Sequence, residues 1–191
     1  MSIVERNVSV AMVRRDLENV PRHPWPEGYR LRGFQNGDEK IWLELQRSSD
    51  LFTDFTGESF QTSFGRNGEE HARRITFLCS NGGKPIGTAA AWYDDKYGRA
   101  DYGRIHWVAI VPSHQGKGLA KPYMSDLLRR MSELGHQCAY LTTGTARVPA
   151  ISLYLQFGFV PEIRKDEDLE IWKELRGELR TPPSLCDVLR V

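Results

Sequence analysis

Only three of the 191 residues are cysteine: Cys79, Cys138 and Cys186. They lie far apart, lack the short ligand spacings of a metal site, and are odd in number, so they build no disulfide framework. The expectation is reduced thiols, no metal and, by default, a cytoplasmic location. Long apolar runs are also missing, and none approaches the roughly 18 residues that a membrane span needs. Met1 to Val20 mixes Glu5, Arg6, Arg14, Arg15 and Asp16 among its apolar positions, which does not read as a signal peptide. No charge of either sign is in excess. With a formal net charge of +1, no long-range field draws in nucleic acid or an anionic membrane.

What is present suits one globular domain, with 40% hydrophobic and 27% charged residues. The expected division is an N-terminal extension at 1–28, comprising a β-prone run from Val8 to Val13 and a connector rich in proline (Pro21, Pro24, Pro26). A main domain follows at 29–165, then a C-terminal helix and tail at 166–191 packed on the same domain. Tyr29 to Phe34 alternates like a half-buried strand. Asn36-Gly37-Asp38 reads as a turn and cap before a helix with Ile41, Trp42, Leu45 and Gln46 on one face. Ser48 to Arg66 reads as a loop and short helix carrying scattered phenylalanines. Ile75 to Ser80 and Ile86 to Tyr93 flank the hairpin turn Asn81 to Lys84. After turn-rich residues 94–102, Ile105 to Val111 is β-rich. Helices follow at about 119–134, 149–157 and 166–179, with short strands at 138–142 and from 159, and Pro182-Pro183 ends the last helix. Helices alternate with strands, while hairpin turns join the middle three strands. The pattern predicts an α/β (α+β) fold: a mixed, mainly antiparallel central sheet flanked by helices on both faces.

The most informative segment is Val108 to Ala120, in which a strand feeds a glycine turn that opens a helix. The first N–H groups of a helix have no internal acceptors and sit at the positive end of its dipole. Glycines clear the side chains that would keep a diphosphate from them. A mononucleotide-binding loop does not fit, because Val111 stands at its first glycine and Leu119 follows Gly118. A dinucleotide fingerprint fails at Lys121. The pattern that fits is Q/R-x-x-G-x-G/A, carried by Gln115, Gly118 and Ala120.

Here the chain resembles the GNAT superfamily of N-acetyltransferases. The strand has the Val108-x-Ile110-x-Pro112 form, and Ala150, Tyr154, Gly158 and Phe159 match the A-x-x-x-Y-x-x-x-G-F signature downstream. The resemblance spans about Tyr29 to Val160 and implies a GNAT-like acyl-CoA acyltransferase fold with acetyl-CoA as co-substrate and no metal. It places the pyrophosphate on the backbone of Gln115, Gly116, Lys117, Gly118, Leu119 and Ala120. The pantetheine arm falls against Val108, Ala109 and Ile110, in a gap between that strand and the one after Gly135. Two departures stand out. Arg147 occupies a position where the family often has asparagine, and residues after Ile163 look helical rather than β.

Acyl transfer to an amine needs a neutral amine, a stabilised oxyanion and a proton for the departing thiolate. Tyr154 matches the family's acid; the alternative is a core tyrosine. His106 is the first choice of base, because strand parity puts it on one side with Val108 and Ile110; a water chain is the rival. The acceptor pocket is expected between Ser48–Phe64 and the strands around Trp92, Tyr93 and Trp107. Asp50 and Asp54 would suit a cationic amine, or form a solvated loop face. The expected partner is a small-molecule or peptide amine, with neither nucleic acid nor membrane, and a homodimer is left open. Two functions compete: an N-acetyltransferase, and a non-catalytic acyl-CoA-binding or sensing module of the same fold.

Overall fold

The computed structural model describes residues 1–95, 97, 101–180 and 189–190. Residues 181–188, with Cys186 and the Pro182-Pro183 stop expected for the last helix, and position 191 lie outside the described residues. Strands β1 (Ser9–Arg14), β2 (Arg30–Gly33), β3 (Ile75–Cys79), β4 (Pro85–Trp92), β5 (Tyr102–Ile110), β6 (Cys138–Gly144), β7 (Val160–Ile163) and the short β8 (Leu189–Arg190) form one sheet. Its order is β2-β3-β4-β5-β6-β1-β7-β8. Neighbours are antiparallel except β5 with β6 and β7 with β8. Residues 9–14 are thus an interior strand, held between β6 and β7.

The helices are α1 (Ile3–Arg6), α2 (Asp38–Ser49), α3 (Ser59–Phe64), α4 (Gly68–Arg74), α5 (Ala120–Glu133), α6 (Val148–Gln156) and α7 (Asp166–Leu175). A small hydrophobic cluster joins Val13, Tyr102, Cys138 and Tyr140, and among the described residues the two larger clusters occupy opposite faces of the sheet. Against one, α5 buries Tyr123, Leu127, Leu128 and Met131, joined by Ile151 and Tyr154 from α6 and Trp172 from α7. These positions recur at helical spacing, so one stripe of each helix meets the sheet. Against the other, Trp42 of α2 packs with Phe55, Phe60 and Phe64 over Phe77 and Trp92. Full burial of such a ring contributes about 1.5–3 kcal/mol over leaving it exposed. The phenylalanines at 55, 60 and 64 therefore form a core beneath α2 and α3, not the lining of a ligand pocket.

Among the described residues no helix is long and apolar enough to cross a membrane, and no His/Cys/Asp/Glu cluster could hold a metal. Cys79 and Cys138 are buried free thiols.

Candidate functional site

The site begins at a kink in β5. Thr88 pairs with Ala109 while Ala90 pairs with His106, so Trp107 and Val108 together oppose one residue of β4. Trp107 takes the left-handed conformation, φ 50°, which a β-bulge accommodates. The side-chain amide of Gln46, a buried residue of α2, donates to the Trp107 carbonyl at 3.0 Å. The extra residue breaks the parity expected from an even strand. His106 packs by Phe64, 5.4 Å between ring centroids, and by Trp107 at 5.3 Å, whereas Val108 and Ile110 pack against the α5-side core. The three do not share a face.

Beyond the kink β5 loses its neighbour. It pairs with β6 only through Tyr102–Arg104 and Cys138–Tyr140, and past Arg104 the strands diverge around a cleft of about 980 Å³. The N–H of Val111 bonds to Ile86 of β4 at 2.9 Å. Peptide groups alternate sides along a strand, so those of Val108 and Ile110 face the gap. The Ile110 carbonyl accepts from the Gln115 side chain at 2.8 Å.

At the cleft mouth a short 3-10 turn, Pro112–His114, leads to Gly116 and Gly118. Both glycines have positive φ, 73° and 75°, and a Cβ on either would meet open space. The N–H groups of Gly116, Lys117, Gly118 and Leu119 have no backbone acceptor among the described residues. They precede the free first turn of α5, whose Ala120 and Lys121 line the cleft. Leu119 is buried and anchors the turn, while Gln115 to Gly118 are exposed. Lys117 does not line the cleft. Desolvation first, and then the charges of Lys117 and Lys84, hold the His114 imidazole below its ordinary value.

Tyr154 of α6 lines the opposite wall, 8% exposed. Burial pushes its phenol up to about 12, against a downward pull from the Arg147 charge. His106 also lines the cleft. Desolvation first, and then the Arg104 charge, push its imidazole down to about 3. It stays neutral at physiological pH and is a weak base, because a proton acceptor works best with a pKa near the working pH.

The expected acceptor residues separate. Asp50 and Trp107 line the cleft. Trp92 is buried, stacked on Tyr93 and edge-on to Phe64, and does not reach it. Asp54 is exposed outside the cleft. The Asp50 carboxylate is engaged by Arg147, by the Phe52 N–H and by the Thr53 hydroxyl. Arg147, Ser49, Asn7 and Ser9 complete this end of the cleft. Asn7 and Ser9 carry no local sequence signal, because they arrive through the long-range pairing of β1 with β6. Arg147 had one: the lost asparagine.

Comparisons with known proteins come down on this geometry. A sequence model described as the acetyltransferase (GNAT) family matches residues 24–159. A mycothiol acetyltransferase of Pseudarthrobacter chlorophenolicus is 26% identical over 146 residues, covering 74% of this chain and 45% of its own length. The chain spans about half the length of the curated relatives it matches. Among solved structures, a GCN5-related N-acetyltransferase from Sphaerobacter thermophilus superposes with TM-score 0.66 at 20% identity, over 80% of this chain and 48% of that one. A Mycobacterium tuberculosis protein solved in complex with CoA gives 0.54 at 17% identity, over 76% and 80%.

Proposed function

Because this chain belongs to the acetyltransferase (GNAT) family, we propose that it transfers an acetyl group from acetyl-CoA to a primary amine, which attacks directly while both substrates are bound. One observation carries the reading. A run of backbone N–H groups without a backbone acceptor among the described residues, from Gly116 to Leu119, opens α5 at the mouth of a cleft between two diverging strands. Such a turn takes a diphosphate without a side chain in the way, and the gap beside Val108 and Ile110 takes an extended amide-bearing arm as a strand would. The CoA complex of the M. tuberculosis neighbour supports the same ligand class.

Bound acetyl-CoA supplies an activated thioester. The peptide N–H of Ile110, on the gap side of β5, polarises the thioester carbonyl, and such donors act strongly in a site with little water. The amine nitrogen forms the new C–N bond as the C–S bond breaks. Tyr154 holds its proton at neutral pH and gives it to the departing thiolate. The proton of the attacking nitrogen leaves through water along the cleft, since His106 holds a proton poorly, and water returns a proton to the Tyr154 phenolate.

The test is thiol release from acetyl-CoA across a panel of amines, for wild type and Tyr154→Phe. The reading expects release that depends on an amine and falls in the variant. Tight CoA binding with no amine-dependent release would instead make the chain an acyl-CoA sensor.

A further inference from the structure

The acceptor end of the cleft is guarded by one ion pair. Asp50 is the C-cap residue of α2 and Arg147 the N-cap residue of α6, so the pair joins two walls of the cleft. One terminal nitrogen of Arg147 donates to both Asp50 oxygens, each at 2.8 Å. The side chains are only 30% and 11% exposed. The guanidinium lies 5.0 Å from the centre of the Phe52 ring. At Gly144 a Cβ would collide with the side chains of Asn7 and Arg147, so the bare backbone of β6 is what lets Arg147 lie in this position.

These charges satisfy each other, and that restricts what can displace them. A ligand carrying only a cation would take Asp50 and strand a half-buried guanidinium beside its own positive charge. A ligand carrying only an anion would strand the carboxylate. Removing one partner of a buried pair is costly because the other is left uncompensated. A ligand with both charges on adjacent groups exchanges for the pair without leaving either alone. The planar guanidinium also matches a carboxylate with two parallel hydrogen bonds.

The geometry points to an acceptor of the α-amino acid class, with its ammonium on Asp50 and its carboxylate on Arg147. This rests on the acetyl-transfer reading and narrows it. The ammonium held by Asp50 loses its proton to water before attack. A peptide amino terminus lacks the adjacent carboxylate and is disfavoured by the same charge argument.

The experiment uses wild-type protein saturated with CoA, titrated with leucine, phenylalanine and glutamine. Each is set beside its primary amide and beside the amine left by removing its carboxylate. For at least one set, the amino acid should bind ten times or more tightly than both analogues. Arg147→Met should abolish that preference, with CoA affinity reporting that the variant is folded. A preference below tenfold in every set, or no binding by any member, overturns the assignment, and this comparison needs no variant. Acetyl transfer is scored separately by thiol release. Preference for the amino acid without release keeps the ligand class and defeats the transfer reading. Equal release with acid, amide and amine keeps the transfer reading and defeats the ligand class.

Discussion

Gln46 donates its side-chain amide to the main-chain carbonyl of Trp107 at 3.0 Å, tying α2 to the kink in β5. That carbonyl belongs to a residue with φ 50°, so ladder pairing with β4 is interrupted there. Gln46→Leu keeps the apolar packing and removes the donor. The bond is part-buried, and a hydrogen bond of that kind contributes about 0.5–1.5 kcal/mol, so the variant should lose about that much in denaturant unfolding. Acetyl transfer should fall as well, since the kink sets how Val108 and Ile110 face the cleft. Unchanged stability would mean the bulge holds itself.

Gly118→Ala separates the phosphate turn from the fold. With φ 75° and open space around an added Cβ, the change costs about 1–2 kcal/mol of backbone strain and creates no clash. If the proposed function holds, the methyl group stands where the diphosphate would approach. CoA affinity should drop at least tenfold by titration calorimetry while the far-ultraviolet circular dichroism spectrum stays the same. Equal affinity would move the phosphate site elsewhere.

Tyr154→Phe should lower kcat by roughly 10²–10⁴-fold, the usual share of a positioned acid, and leave CoA affinity within about twofold. Loss of CoA affinity with kcat preserved would recast Tyr154 as packing for the cofactor arm.

His106 predicts a pH dependence of stability. Its folded pKa, about 3, lies below the ordinary 6.5. The unfolded chain therefore binds a proton below pH 6.5 that the folded protein does not, and stability falls as pH drops from about 6.5 toward 3. By pH 5.5 the loss from this group is on the order of 1 kcal/mol. Urea midpoints for wild type and His106→Asn, measured between pH 7.5 and 5.5, should diverge, with the variant flatter. Parallel curves would show that the imidazole accepts a proton in place.

The sequence disclosed the fold wherever periodicity or turn chemistry was strong: the Asn81–Lys84 hairpin, the amphipathic α5, and the helix after Ile163. It hid α4, whose Gly68–Arg74 sequence has no apolar stripe and is begun by the Asn67 side chain accepting from the N–H groups of Glu69 and Glu70. It hid the Trp107 bulge too, because an inserted residue leaves no mark on alternation until the partner strand is known. That one residue is why parity misplaced His106. The glycine turn was legible since its chemistry is local. The acceptor end was not: Asp50 and Arg147 stand far apart in sequence, and only the folded chain reveals that the carboxylate expected to wait for an amine is already held.

Acetyl transfer as proposed requires the turn from Gln115 to Ala120 to hold the diphosphate of acetyl-CoA at the mouth of the split between β5 and β6. Calorimetric titration of the wild-type protein with CoA tests it most directly. Saturable binding of one CoA per chain is the expected result. No heat and no thermal stabilisation at millimolar CoA would contradict it.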